Sequence, residues 1–258
     1  MTDFLKKLFS SETFGPKLYL FNIYHILLLL IVFGGSLLYA YLTRKKSQET
    51  KKKIVDIATL IMIILYFLDF FIHPFMTGED KLIVDKLPFH LCTGAGILIA
   101  LSRLFPRQFA KFRTSFAVLG LIGGMMYLTV PTALDDEFIL CYRSLQTIIY
   151  HGLLFFIGVT AISYDDIKIE YKYIYREAIV LVIMDLISIF ANRAYGGIRG
   201  DNYDWFFSTG SSFGVSPYLM PFVMFAILFA QCNAIYLINF GVRKLFAKCR
   251  AKKQLAQE

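Results

Sequence analysis

The chain has 258 residues, of which 57% are hydrophobic and only 18% charged, with a formal net charge of +8. Soluble domains carry about 25% charged residues, so this composition excludes an ordinary soluble domain. The positive charge lies between long apolar runs, where it reports membrane topology and contact with anionic lipid headgroups rather than nucleic acid.

No cleavable signal is expected in residues 1–18, because Lys6 and Lys7 are followed by the polar stretch 10–13 instead of an apolar core. Phe4, Leu5, Leu8 and Phe9 have helical spacing and predict a short interfacial helix. Seven apolar stretches then follow, at about 19–42, 54–76, 88–105, 114–133, 145–163, 177–195 and 217–240. Each approaches the roughly 20 residues that a bilayer crossing needs. They predict an all-α bundle of about seven transmembrane helices, one domain over residues 19–240, and a basic tail over 241–258. Pro88 and Pro217 open spans and Pro131 closes one, while Pro221 is placed to kink the seventh.

Of the 27 Lys and Arg residues, 19 lie in or beside the loops after spans one, three and five and in the tail; the other 8 lie in the remaining segments. Basic residues are retained in the cytoplasm, so the N-terminus is expected outside the cell membrane and the C-terminus inside. Gly120 and Gly124 form a GxxxG pair on the fourth span, suited to close helix packing. Packing within the chain is the simpler use of it, and self-association into a homo-oligomer stays open. No internal repeat of the kind found in many transporters is evident.

The polar residues inside the spans are grouped by depth. His25, His73, His90 and His151 all fall within roughly 10 Å of the outer surface at 1.5 Å per residue. Asp69 and His73 share one face of the second span, with Tyr66 a turn further in. Gln146, Thr147, Tyr150 and His151 form a stripe on the fifth. Asp185 lies near mid-membrane on the sixth, on the same face as Asn192. Intramembrane ionisable groups default to function, although a single interfacial histidine such as His25 can simply bond a carbonyl. Imidazole titrates near neutral pH and can accept or donate a proton.

The four cysteines, Cys92, Cys141, Cys232 and Cys249, show no CxxC pair, and no HExxH or other metal spacing occurs. Neither a metal nor a cofactor is expected. Cys92 could act as a nucleophile only with a base from another helix, such as His151; a plain core cysteine is the simpler state.

The segment Leu87-Pro88-Phe89-His90-Leu91-Cys92 resembles the LPxHLC motif of the bacterial YwaF family of membrane proteins. His151-Gly152, Asn192 followed by Gly200-Asp201-Asn202-Tyr203, and Ser216-Pro217-Tyr218 are similar to further motifs of that family, in the same order. Through it the chain looks distantly similar to a eukaryotic membrane protein proposed to move fatty acyl chains between phospholipids. That resemblance implies a cysteine directly before the histidine of the third span, a place held here by Phe89. The histidines match and the proposed nucleophile does not.

These observations predict a lipid-modifying enzyme, an acyltransferase or lipid hydrolase, whose partners are membrane lipids. His90, His151, Cys92 and Asp69 are the candidate catalytic residues. His73, Gln146, Asp185, Asn192, Asn202 and Tyr203 are the candidate substrate-binding residues. The rival is a transporter or small-molecule binding protein that uses Asp185 and the outer histidines.

Overall fold

A computed structural model describes residues 17–77, 87–130, 142–199, 205–207, 215–216 and 218–255. The predicted interfacial helix, Cys141, Asn202 and Tyr203 lie outside these residues.

Every regular element among the described residues is helical, and seven long helices account for the seven apolar stretches. They are α1 (Ile23–Thr43), α2 (Gln48–Thr77), α3 (Leu91–Leu104), α4 (Arg113–Thr129), α5 (Tyr142–Ser163), α6 (Tyr175–Arg199) and α7 (Met220–Leu255). Four of them contain segments long and apolar enough to cross a membrane: 23–43, 48–72, 144–163 and 220–245. The shorter α3 is also apolar. α1 widens into a π-helix at Leu30–Gly34 before resuming at Gly35.

Three boundaries differ from the sequence reading. α3 begins at Leu91, so His90 is its extended N-cap (φ −82°, ψ 153°) and not its second helical residue. Leu87, which precedes a proline, is biased out of the α region, and the chain stays non-helical from it through His90. α7 begins at Met220, which puts Pro221 in the first turn, where a missing N–H costs nothing; the expected kink has no cause. α7 also runs unbroken through the basic tail to Leu255.

Contacts between helix ends define an up-and-down bundle. At one end, Arg103 near the end of α3 reaches Asp56 on α2 and Asp166 just after α5, and Arg113 opening α4 joins Asp166. Thr43 closing α1 bonds Tyr164 at 2.5 Å, and Arg243 of α7 bonds Asp165 at 2.6 Å. This is the charged end. At the other end, His25 opening α1 bonds the carbonyl of Leu128 near the end of α4, and His90 capping α3 meets Phe206 beyond α6. This is the histidine end.

α5 is the central helix: 72% of its apolar window is buried, against 11% for α1. It packs on α4 through glycines. A Cβ at Gly124 would lie 2.5 Å from the His151 carbonyl oxygen, and one at Gly158 would lie 2.5 Å from the Leu121 Cβ. A Cβ at Gly120 would meet Ile99 of α3 at 2.6 Å. Both members of the GxxxG pair therefore face neighbours within the chain. Small residues allow backbones this close, and dispersion between them replaces the hydrophobic drive that lipid cannot supply. Met62, Ile99, Ile122, Leu154, Met184 and Leu228 form the core between the helices. The exposed apolar side chains of α1, among them Leu30 and Ile31, suit contact with hydrocarbon.

Candidate functional site at the histidine end

His25 opens the layer and is fully enclosed. Its Nδ1 accepts the Phe21 N–H at 2.9 Å, so its Nε2 carries the proton and donates to the Leu128 carbonyl at 2.7 Å. Both nitrogens are committed to backbone, which makes His25 a tie between α1 and α4.

His90 uses the same acceptor atom differently. Its Nδ1 accepts the Phe206 N–H at 3.3 Å, which places its proton on Nε2. Phe206 has φ 61°, in the left-handed region that costs a non-glycine residue about 1 kcal/mol. Phe21, the residue bonded to His25, is also left-handed, with φ 58°. In each case an imidazole receives the N–H that the unusual backbone turns inward.

The turn that presents Phe206 is held by Asn192. Its side-chain amide donates to the Trp205 carbonyl and accepts the Trp205 N–H, each at 3.0 Å. Trp205 is 1% exposed and meets Phe89 and Tyr195 edge-on, at centroid distances of 5.1 and 5.4 Å. Sequence reasoning missed Trp205 and Phe206. The one available signal was a lone tryptophan in a polar stretch, a residue too large and apolar to leave in water without cause.

His151, 6% exposed, lies on α5. Its Nδ1 donates to the Thr147 carbonyl at 2.8 Å, since a carbonyl can only accept, and Nε2 is therefore its basic nitrogen. The ring stacks on Tyr127 of α4 at 3.8 Å and 10°, and Tyr150 meets it edge-on at 5.4 Å. Gln146, on the same helix, is buried and accepts a 3.3 Å bond from Thr147.

Cys92, two residues after His90, is half-buried on α3. The Tyr150 hydroxyl donates to its carbonyl at 3.2 Å, and a Cβ on Gly123 would touch its Cα at 3.2 Å. The rings of Tyr66 and Tyr150 lie 6.1 Å apart near this residue. Asp69, 2% exposed, shares the α2 face with Tyr66 and bonds the hydroxyl of Tyr142. Burial, with the charge and hydrogen bond of Asp69, pushes the Tyr142 phenol well above its ordinary value; Tyr142 precedes the apolar span of α5. Asp185 is 8% exposed on α6, and its Oδ1 meets no hydrogen-bond partner among the described residues. His73 belongs to the last turns of α2, and its side chain lies outside the described residues.

The structure thus groups His90 with Asn192 through the Trp205–Phe206 turn, Cys92 with the tyrosine preceding His151, and Asp69 with the start of α5. Among the described residues no three His, Cys, Asp or Glu side chains come together as a metal would require.

A helical bundle with apolar crossing segments and a buried polar layer at one end is a membrane protein. The chain belongs to the TMEM164 family, whose model matches residues 14–241. No curated protein and no solved structure matches it.

Proposed function

We propose that this protein modifies membrane lipids at the histidine end, as an acyltransferase or a lipid hydrolase. The observation that carries the reading is that His90 and His151 hold opposite tautomers, each fixed by a backbone group. His151 offers a basic Nε2 and His90 an Nε2–H. Facing one bound ester, the two would supply a proton acceptor and a proton donor.

In the reaction, a water or lipid hydroxyl oxygen attacks the ester carbonyl carbon and its proton passes to His151 Nε2. The developing oxyanion is stabilised by the His90 Nε2–H. The ester C–O bond then breaks, and the leaving alkoxide takes the proton back from His151. Water as the acceptor gives a fatty acid and a lysolipid; a lipid hydroxyl gives a transferred acyl chain. Asp69 holds the entrance of α5 through Tyr142, and Asn192 positions His90 through the Trp205 turn.

The resemblance to YwaF proteins, and through them to an acyl-moving eukaryotic protein, supports this reading. Phe89 in the place of the expected cysteine favours direct activation of a hydroxyl over attack by Cys92. The proposal includes seven crossings with the histidine end facing the outer leaflet of the cell membrane, on the distribution of basic residues.

The test is turnover of a labelled phospholipid by purified protein in nanodiscs. His90→Ala and His151→Ala should remove it, and Cys92→Ala should leave it nearly intact. Loss in Cys92→Ala alone would replace the hydroxyl mechanism with a thiol one, full activity in both histidine variants would remove the histidines from the chemistry, and no turnover by the wild type would end the enzyme reading. The rival, a proton-coupled transporter, draws on the enclosed Asp185 carboxyl. Substrate uptake into vesicles that depends on a pH gradient and disappears in Asp185→Asn would favour it.

A further inference from the structure

The charged end contains an acid that takes no part in its ion pairs. Glu177, in the first turn of α6, is 0% exposed. Two other helices close over it. From α7, Tyr236 donates to Glu177 Oε1 at 2.5 Å, and buried Cys232 lies one turn away beside the same carboxyl. From α4, Ser115, 1% exposed, comes close enough to interact but forms no well-aligned bond. Glu177 Oε2 and Ser115 Oγ are both enclosed, and neither has a hydrogen-bond partner among the described residues.

The neighbouring cations are engaged elsewhere. Arg176 lies over the Tyr173 ring at 4.0 Å and donates to the Lys111 carbonyl at 2.9 Å. Arg113, two residues before Ser115, pairs with Asp166 at 2.7 Å. Among the described residues none of these cations forms an ion pair with Glu177. An ionised carboxylate enclosed without a counter-ion costs several kcal/mol. A neutral acid avoids that cost. Its O–H can donate to Ser115 Oγ, so the two enclosed oxygens are joined by one hydrogen bond without a buried charge.

We propose that Glu177, Ser115 and Tyr236 form a proton-binding site at the charged end, separate from the histidine layer. The proton sits on Glu177 Oε2 and is shared with Ser115 Oγ, while Tyr236 donates to Oε1. When the proton leaves, Ser115 can turn its own O–H toward Oε2. The site then has two defined states, differing by one proton and by the direction of one hydrogen bond. Because the three residues come from α4, α6 and α7, the change is felt where those helices meet.

Infrared spectra of the full chain in nanodiscs at neutral pH test this. Wild type should show a protonated-carboxyl stretch that Glu177→Gln lacks. Tyr236→Phe should keep that band but shift it to higher frequency, since the carbonyl oxygen loses its donor. Ser115→Ala should keep and shift it as well. If Glu177→Gln does not fold, the two conservative variants carry the test. A band undiminished in Glu177→Gln, or unmoved in both Tyr236→Phe and Ser115→Ala, overturns the proposal. A band that appears only after sodium and potassium are withdrawn makes the site one for a monovalent cation and overturns the proton assignment.

Discussion

The two ends of the bundle solve the same problem, polar groups at the edge of an apolar interior, with different chemistry. At the charged end, Arg103 (side chain 9% exposed) bridges two carboxylates, Asp56 and Asp166, and Arg113 shares Asp166. Charge there is balanced by charge, and the product is a clamp between α2, α3, α4 and the α5–α6 loop. At the histidine end, His25, His90 and His151 are each held through Nδ1 by a backbone group. Backbone cannot neutralise a charge, but it can fix a tautomer. Fixing a tautomer gives the second nitrogen a defined role, which an ion pair would not do. His25 spends that second nitrogen on the Leu128 carbonyl and becomes structural. The charged end ties helices by ion pairs, whereas the histidine end, on the proposed function, leaves defined nitrogens to move protons.

The sharpest break of this comparison is chemical. His151→Gln removes a proton acceptor and should lower lipid turnover by about 10²–10⁴-fold. His90→Gln keeps an N–H donor and should lose less. Equal losses in the two variants would show that the tautomers do not differ in role.

The next effect is structural and belongs to the charged end. Arg103→Ala leaves Asp56 without its partner and Asp166 with Arg113 alone, and should destabilise the fold by about 1.5–3 kcal/mol, read as a lowered unfolding midpoint in detergent. Turnover per folded molecule should be unchanged. A selective loss of turnover would mean that the two ends are coupled.

Asn192→Ala should cost about 2 kcal/mol, because it strips partners from two buried backbone groups of Trp205. It should also free the Phe206 turn, so turnover falls more than stability does. Asn192→Asp sharpens the point. It keeps the acceptor for the Trp205 N–H and loses the donor to the carbonyl, and should fall between wild type and Asn192→Ala.

The smallest effect is expected at Asp165–Arg243, where both side chains are more than half exposed. Asp165→Asn should change stability by less than about 1 kcal/mol and erase its weak salt dependence. A similar indifference is expected for the exposed Glu170–Lys172 pair. Lys172 holds the Glu170 carboxyl below its ordinary value, through a hydrogen bond first and charge second. Any stability from it is present above the ordinary carboxylate value and lost as pH falls through the lowered one. Glu170→Gln should leave the acid arm of the stability curve unmoved.

The amino-acid pattern set the number and placement of the helices. A bilayer requires long apolar runs whose backbone bonds close within each segment, so the signal is local and survives without knowledge of neighbours. It also determined that His25, His90 and His151 share one end, because depth along a helix follows from counting residues. Which group each histidine bonds depended on long-range packing, since the partners lie far away: Leu128 for His25 and Phe206 for His90. His90's place at the cap of α3, the Asn192 clamp on Trp205 and the enclosure of Glu177 by Tyr236 were hidden for the same reason. Each depends on which distant backbone or side chain fills the space opposite. The glycines show both halves in one feature. Gly120-x-x-x-Gly124 marked a close-packing face from spacing alone, but its partners, α3 at Gly120 and α5 at Gly124, were set by where those helices came to rest.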